Sequence, residues 1–220
     1  MKILALEFSS AQRSAAVVES SPGKAPVLLG TATETGDHKT KAFHLIEQAL
    51  RSARLEREQI DCLAVGLGPG SYTGIRVAIS VAQGWQLARE VKLLGVSSVE
   101  CLAAQAQVEN ILGRVNIVID AQRKELYLAG FEISAAVLRE VEPLHLETLV
   151  EALVHERSGE LVVGPEVTRW FPQGRVLFPA AAMVGRLAAR SSDFVAGEKL
   201  EPIYLRETSF VKAAPPRTLL

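Results

Sequence analysis

Apolar runs separated by turn residues open the chain and predict strands. Residues 2–8, 14–19 and 25–33 are mostly apolar, and serine, proline and glycine residues lie between them. This order predicts an antiparallel meander of three strands. Over residues 38–53 the apolar positions instead recur at helical spacing, so a helix is expected after the meander.

A glycine-rich turn occupies the centre of the first half of the chain. A short apolar strand at residues 62–65 leads into residues 66–74, which hold four glycines and a proline. Glycine permits a positive φ and a close approach of other segments, whereas proline fixes φ. A helix over residues 75–88, a strand at 91–96 and a helix ending near residue 107 are expected to follow.

The helix over residues 75–88 is apolar on two sides. One side is formed by Ile75, Ala78, Ile79, Ala82 and Trp85. The other side is formed by Gly74, Val77, Val81, Gly84 and Leu87. A glycine inside a helix costs about 1 kcal/mol relative to alanine, so Gly84 predicts that another backbone packs closely there. The helix over residues 38–53 is also apolar beyond one face, so either it is covered on two sides within the fold or one side meets a partner.

The order of the first half returns weakly after about 113 residues, which predicts an internal duplication. Residues 115–120 form an apolar run that ends in an acid, Asp120, as the first strand ends at Glu7. Strands at 125–133 and 136–141 then repeat the meander. A helix near residues 146–154, a strand at 161–163 and a helix at 180–190 complete the predicted second unit.

The predicted fold class is therefore α/β, with two duplicated subdomains that each hold a mixed β-sheet flanked by helices. The first subdomain is expected at residues 1–108 and the second at residues 109–208. Residues 209–220 lack periodicity and are expected to form a flexible tail.

Composition and charge narrow the function. The hydrophobic fraction of the 220 residues is 48%, which supplies a full core, and the net charge is −1. A chain without basic excess is not expected to bind RNA or a membrane surface strongly by itself. The two cysteines are isolated, no apolar run approaches the roughly 20 residues of a membrane span, and the N-terminus turns acidic early. These features predict a cytoplasmic protein without a membrane partner.

The glycine-rich turn fails the common nucleotide fingerprints. A P-loop requires Gly-x-x-x-x-Gly-Lys-Ser/Thr, and a dinucleotide fold requires Gly-x-Gly-x-x-Gly/Ala. Neither spacing is completed within residues 66–74. The nucleophile motif Gly-x-Ser-x-Gly is also absent around Ser71. A rigid structural turn or a partner-contact loop is the favoured interpretation.

The four histidines show no metal-ligand spacing, so no metal site is predicted. The carboxylates Glu7 and Asp120 are placed alike, each at the end of the first strand of its half. A pair of acids across a cleft would suit a nucleotide site, which would also include Ser9 and the turn at Gly164. The other interpretation is that the two acids are turn-formers retained from the duplication.

Four segments resemble one known family over nearly the whole chain. Residues 68–76, Gly-Pro-Gly-Ser-Tyr-Thr-Gly-Ile-Arg, resemble the Gly-Pro-Gly-Ser-Phe-Thr-Gly-Leu-Arg signature of the TsaB/YeaZ family. Residues 94–100 resemble its Val-Gly-Val-Ser-Ser-Leu-Glu segment, and residues 120–127 its Asp-Ala-Arg-Arg-x-Glu-Val-Tyr. Residues 201–206 resemble its closing Glu-Pro-x-Tyr-Leu-Arg.

The resemblance implies an actin-like ATPase (ribonuclease H-like) fold and a role in forming threonylcarbamoyladenosine next to the tRNA anticodon. It implies a non-catalytic subunit that binds and activates the catalytic subunit TsaD together with the ATPase TsaE. Such a chain would need no cofactor of its own, since ATP is used by its partners. It would contact tRNA only through the complex and form a homodimer when alone. The alternatives are a self-contained actin-like ATPase or kinase and, more remotely, a glycoprotease-like peptidase.

The helices over residues 38–53 and 74–89 are the predicted partner or dimer surface. Its predicted residues are Ala42, Leu45, Ile46, Ala49, Tyr72, Thr73, Arg76, Ala78, Ile79 and Ala82. The chain departs from the family pattern in three places. Glu7 replaces the usual aspartate, Gln122 replaces an arginine, and residues 38–40 read His-Lys-Thr rather than His-Ser-Glu. The change at Glu7 weakens an independent nucleotide site formed by Glu7, Ser9, Asp120 and Gly164, whereas the changes at residues 39 and 40 concern the details of partner contact.

Overall fold

The first half of the chain forms a mixed five-stranded sheet with helices on both faces. A computed structural model describes residues 1–36 and 41–205. The strand order is β3-β2-β1-β4-β5, with β1–β2 and β2–β3 antiparallel and β1–β4 and β4–β5 parallel. The elements are β1 Lys2–Glu7, β2 Gln12–Glu19, β3 Val27–Thr35, α1 Ala42–Ala53, β4 Cys62–Gly66, α2 Tyr72–Arg89, β5 Lys92–Val96 and α3 Ser98–Val108.

The second half repeats this topology. Its sheet has the order β8-β7-β6-β9-β10, with β6–β7 and β7–β8 antiparallel and β6–β9 and β9–β10 parallel. The predicted duplication and fold class are thus confirmed. The elements are β6 Gly113–Asp120, β7 Glu125–Ile133, β8 Leu138–Thr148, α4 Leu149–Arg157, β9 Leu161–Gly164, β10 Arg175–Val176 and α5 Ala181–Ala188, with a 3₁₀ turn at Val167–Arg169 between β9 and β10.

Some predicted boundaries are wrong for local reasons. The β8 strand extends to Thr148, seven residues beyond its predicted end, because Thr148 rather than residue 146 caps the following helix. The Thr148 hydroxyl accepts from the Glu151 N–H, and the Glu151 carboxylate accepts from the Thr148 N–H, which is a capping box. The predicted helix start at residue 38 and the predicted tail lie outside the described residues.

The helices that end the two halves are exchanged between the sheets. Apolar side chains of α3 pack with the second sheet, whereas α5 packs against β1, β2 and β4 of the first. Hydrogen bonds fix this crossing: the Ala181 N–H donates to the Ser14 hydroxyl at 2.8 Å, and Gln105 on α3 bonds the backbone of Phe178 and Ala180. The predicted second subdomain, residues 109–208, therefore contains a segment that completes the first core.

The residues after α5 also return to the first half. Val195 forms an isolated antiparallel bridge with Leu93 on β5, and the Ile203 N–H donates to the Leu67 carbonyl at 2.9 Å. Leu200 is buried in the core formed by α1, α2 and the first sheet. This return places the Tyr204 ring beside that of Tyr72, at the start of α2.

Candidate functional site

The glycine-rich turn lies directly against the residues that follow β1. A Cβ at Gly66 would stand 2.0 Å from a carboxylate oxygen of Glu7, and one at Gly70 would stand 2.2 Å from the Ser9 carbonyl oxygen. The Ser71 N–H also donates to the Ser9 carbonyl at 2.7 Å. A side chain at Gly66 would displace the Glu7 carboxylate, and one at Gly70 would displace the β1–β2 turn.

The first turn of α2 approaches the same segment. A Cβ at Gly74 would lie 1.9 Å from the carbonyl oxygen of Phe8, and the Gly74 N–H is capped by the Ser71 hydroxyl at 3.3 Å. Gly66, Gly74 and Gly70 thus face residues 7, 8 and 9 in turn. The sequence favoured either a rigid structural turn or a partner-contact loop, and it did not predict that this contact sets the positions of the three glycines.

Glu7 is a structural group within the fold. Its side chain is fully buried; Oε1 accepts from the Ser9 N–H at 2.7 Å, and Oε2 accepts from the Ser98 hydroxyl at 2.8 Å. The Gly68 N–H in turn donates to the Ser98 hydroxyl at 3.2 Å. Burial raises the pKa of the Glu7 carboxyl, against the smaller lowering effect of the bonds to Ser9 and Ser98. The carboxylate therefore ties β1, the glycine-rich turn and α3 together.

Asp120, the matching acid of the second half, lies at the edge of an open cleft. Its carboxylate accepts from the Gln122 N–H at 2.7 Å and from Arg169 Nη1 at 3.0 Å. Arg169 follows β9, so the ion pair joins the ends of two neighbouring strands. The two acids that the sequence placed alike thus have different surroundings.

The cleft between the two halves has a volume of about 660 Å³ and a lining of both polar and apolar groups. Of the four residues predicted as a remnant nucleotide site, Ser9 and Asp120 line it. Glu7 is buried behind it, and Gly164 lies against the β6 backbone, with a Cβ position 1.8 Å from the Val118 carbonyl oxygen. The structure therefore does not assemble these four residues around one space. The remaining lining includes Ser10, Arg13, Gly36, Gln122, Arg123 and Glu166, together with all three tyrosines of the chain, Tyr72, Tyr127 and Tyr204.

A second concave surface, the α1–α2 groove, lies on the outside of the first half. Its volume is about 950 Å³. It is lined by Phe43 and Ile46 of α1, by Tyr72, Thr73, Arg76, Val77, Ser80, Val81, Gly84, Trp85, Ala88 and Arg89 of α2, and by Arg57 and Glu58. Phe43 is 68% exposed, which is unusual for a phenylalanine and marks the groove as an uncovered apolar surface.

Six of the ten predicted partner-contact residues do not line this groove, whereas Ile46, Tyr72, Thr73 and Arg76 do. Only Tyr72, Thr73 and Arg76 are exposed. The other seven are buried in the chain's own core: Ala42, Leu45, Ile46, Ala49, Ala78, Ile79 and Ala82. The physical reason is that these residues form the inner faces of α1 and α2, which pack on the first sheet. The groove instead uses the second apolar side of α2.

Gly84 differs from its prediction in an informative way. No backbone of another segment packs against it: it is exposed in the groove, and no described atom beyond its own stretch of helix lies within 4 Å of its Cβ position. The fold of this chain therefore does not require a glycine there, although glycine weakens the helix. Gly84 leaves the centre of the groove open.

An aromatic and cationic stack joins the groove to the cleft. The rings of Tyr72 and Tyr204 lie 5.5 Å apart at an interplanar angle of 19°, and the Arg76 guanidinium lies 4.1 Å from the Tyr72 ring centre. Tyr72 lines both spaces. The predictions named Tyr72 and Arg76 but not Tyr204, whose position depends on the return of the chain after α5.

Within residues 1–36 and 41–205, no cluster of three or more His, Cys, Asp or Glu side chains is arranged to hold a metal ion. No helix in the same ranges is long and apolar enough to span a membrane.

Comparison with known proteins places these features in context. The family described as tRNA N6-adenosine threonylcarbamoyltransferase, TsaD, matches residues 33–202. The tRNA threonylcarbamoyladenosine biosynthesis protein TsaB of Escherichia coli K12 is 32% identical, over 81% of this chain and 85% of that protein. TsaB of Haemophilus influenzae is also 32% identical, over 42% and 39%. The structure of YeaZ from Pseudomonas aeruginosa covers 93% of this chain and 99% of its own at 25% identity, with a TM-score of 0.73.

Two mixed sheets of one strand order, flanked by helices and separated by a cleft, define an actin-like ATPase fold. Within that class, identity to TsaB over most of both chains is decisive. The chain belongs to the TsaB/YeaZ family of tRNA threonylcarbamoyladenosine biosynthesis proteins.

Proposed function

We propose that the chain is a non-catalytic subunit of tRNA threonylcarbamoyladenosine formation, and that its α1–α2 groove binds a catalytic subunit of the TsaD family. The single observation that carries this proposal is the open groove at Gly84. A helix interior with an unneeded glycine, facing an uncovered apolar surface, is explained when a partner's side chains or backbone enter it.

The composition of the groove fits a protein partner. Its centre is apolar, with Val77, Val81 and Trp85 partly buried, and charged groups lie at its ends. Arg89 pairs with Glu58 at one end, at 3.3 Å, and Arg76 stacks on Tyr72 at the other. An apolar centre with a polar rim is the usual anatomy of a specific protein interface.

The same chemistry argues against an independent ATPase or kinase as the main activity. Such an enzyme would use Glu7 as a cleft-facing acid, but Glu7 is buried and bonded to Ser9 and Ser98. Asp120 is held by Arg169. In the proposal, therefore, the chain uses no nucleotide of its own, ATP serves its TsaD- and TsaE-type partners, and tRNA is engaged in the assembled complex.

The test introduces a bulky charge into the groove without disturbing the fold. Gly84→Arg should be accommodated, since the Cβ position is open and arginine favours a helix. We expect at least a tenfold loss of affinity for the TsaD-family subunit, measured by sedimentation, and a matching loss of modified tRNA in a reconstituted reaction.

The matched control is Val150→Arg, which places the same side chain at a 78% exposed apolar position of α4 in the second half. It should leave both measurements unchanged. Unaltered TsaD binding by a folded Gly84→Arg variant would overturn the groove assignment. Full tRNA modification without this chain would overturn its role as a required subunit. Sedimentation of the chain alone reports whether the free groove pairs with a second copy.

A further inference from the structure

The cleft between the two halves, here called the interlobe cleft, offers cationic and aromatic side chains rather than free acids. Asp120 is paired with Arg169 and bonded to Gln122, and Glu7 does not reach the cleft. Glu166, the other acid of the lining, lies beside Asp120, and its burial raises the pKa of its carboxyl. A magnesium nucleotide would require acids that are available to hold the ion. The cationic and aromatic side chains of the cleft instead suit a ligand that carries phosphates without a bound metal.

Arg123 is presented to the cleft by a strained turn. Gln122, Arg123 and Lys124 have φ values of 64°, 57° and 65°, three successive left-handed residues that are not glycine. Each costs roughly 1 kcal/mol or more, and strain of this kind tends to be retained at functional sites. Within residues 1–36 and 41–205, the Arg123 guanidinium has no hydrogen bond or ion pair.

Arg13 supplies a second guanidinium from the wall formed by the first half. Its side chain is 11% exposed; Nη1 donates to the Gly36 carbonyl at 3.3 Å, and the nearest described carboxylate, on Glu34, is 4.0 Å away. Arg13 Nε has no partner among the described residues. A buried arginine whose donors are incompletely used is stabilised by an added anion.

The tyrosines provide a stacking surface in the same cleft as these arginines. The Tyr72 ring contacts both the Arg76 guanidinium and the Tyr204 ring. Tyr204 is 37% exposed at the end of this stack, and Tyr127 lines the cleft from β7. Guanidinium groups that flank an accessible aromatic ring are the usual means by which proteins bind unpaired nucleotides.

We infer that the interlobe cleft binds an unpaired segment of RNA, with Arg123 and Arg13 on its phosphodiesters and Tyr204 stacked on a base. The choice of RNA rests on the proposed function, since the proposed complex acts on a nucleoside beside the tRNA anticodon. A net charge of −1 makes the expected contact weak in the isolated chain.

The first experiment uses the full chain alone and a tRNA anticodon stem–loop, so that it does not depend on partner binding. Arg123→Asn keeps a residue that tolerates the left-handed conformation. It should weaken stem–loop binding about five- to tenfold and reduce the slope of log K against log salt by about 0.7, the value for one phosphate of a single strand. Tyr204→Leu should weaken binding about fivefold without changing the slope, since stacking involves no counterion release.

The controls separate the cleft from the groove. Arg139→Gln removes an exposed arginine that pairs with Glu132 on the second sheet, and it should change neither quantity. Gly84→Arg should retain stem–loop binding by the chain alone, so loss of TsaD binding in that variant tests the groove separately. The second experiment repeats the titration on the chain assembled with its TsaD-family partner, where Arg123→Asn should again weaken tRNA binding.

Three results would overturn the inference. The first is equal binding of the stem–loop and of a fully paired RNA duplex of the same length. The second is stem–loop binding that neither Arg123→Asn nor Tyr204→Leu changes. The third is tight binding of ATP and magnesium that competes with the stem–loop and is lost in Arg123→Asn, which would make the cleft a nucleotide site.

Discussion

The two halves of the molecule have the same strand order, but they connect the fourth and fifth strands differently. In the first half this connection is the 18-residue helix α2, and in the second it contains only the 3₁₀ turn Val167–Arg169. The sheets are retained because each central strand must be paired on both edges and covered on both faces. The connection outside them is free to change, and the groove occurs where the long helix remains.

The acids that end β1 and β6 extend this comparison. Glu7 is buried against the glycine-rich turn and bonded to α3, whereas Asp120 stays at the cleft edge with Arg169. The duplicated position thus holds a buried structural carboxylate in the half with the long helix. In the other half it holds a carboxylate at the cleft edge that is paired with an arginine. Equivalent positions in a duplicated sequence therefore do not imply a shared role.

The prediction with the largest expected effect tests whether the two halves unfold independently. Phe8 and Phe171 are fully buried, one in each half. Phe8→Ala and Phe171→Ala should each reduce the free energy of unfolding by about 3–5 kcal/mol. Because α3 and α5 are exchanged between the sheets, both variants should shift a single urea transition.

Trp85 in the first half and Trp170 in the second allow the unfolding of each half to be followed separately by fluorescence. Single-tryptophan forms made by Trp85→Phe or Trp170→Phe should give coincident midpoints in each background. Separate midpoints would show that the exchanged helices do not couple the halves.

The next effect contrasts two glycines of α2. Gly74→Ala should destabilise the protein by about 1–3 kcal/mol, because its Cβ meets the backbone of Phe8 and the helix must shift. Gly84→Ala should stabilise it by about 0.5–1 kcal/mol, because the site is open and alanine favours a helix. Thermal unfolding followed by circular dichroism measures both. Equal effects of the same sign would contradict the packing described for the glycine-rich turn.

The smallest expected effect is a change in how the stability of the fold depends on pH. Burial raises the pKa of Glu7 above its usual value of 4.5, so the folded state holds this proton more tightly than the unfolded state. The resulting stabilisation is fully present below about pH 4.5 and is lost as the pH rises through the raised native pKa. Glu7→Gln should therefore flatten the decline in stability above pH 4.5, as measured by urea midpoints across that range.

Glu160 of the second half serves as a control of opposite sign. Desolvation raises the pKa of its carboxyl, but the bonds from Asn116 and His155 and the charges of His155 and Arg114 together lower it below its usual value. Its contribution is present above about pH 4.5 and is lost as the pH falls through the lowered native pKa. Glu160→Gln should thus reduce stability at neutral pH and leave the decline above pH 4.5 unchanged. The same pH profile for both variants would contradict the assigned surroundings.

The sequence predicted most of the strands because their apolar runs are short, continuous and bounded by turn residues. It also predicted that α2 is apolar on two sides, but not which side the fold covers. Ala78 and Val77 are both compatible with burial, and only the position of the first sheet separates them. The exchange of α3 and α5 was missed because a helical stripe does not identify the sheet on which it packs. Tyr204 was missed as a site residue for the same reason, since it reaches α2 through that exchange.

The crossing of α5 has a consequence for synthesis of the chain on the ribosome. The inner face of the first sheet, including Ala5, Ala16 and Ala64, is covered by residues 181–188, which emerge more than a hundred residues after β4. The nascent first half therefore carries an open apolar face for most of translation, when such surfaces favour misassembly and chaperone binding. Its small alanine side chains leave room for a closely packed helix, and they also keep the exposed face less adhesive until that helix arrives.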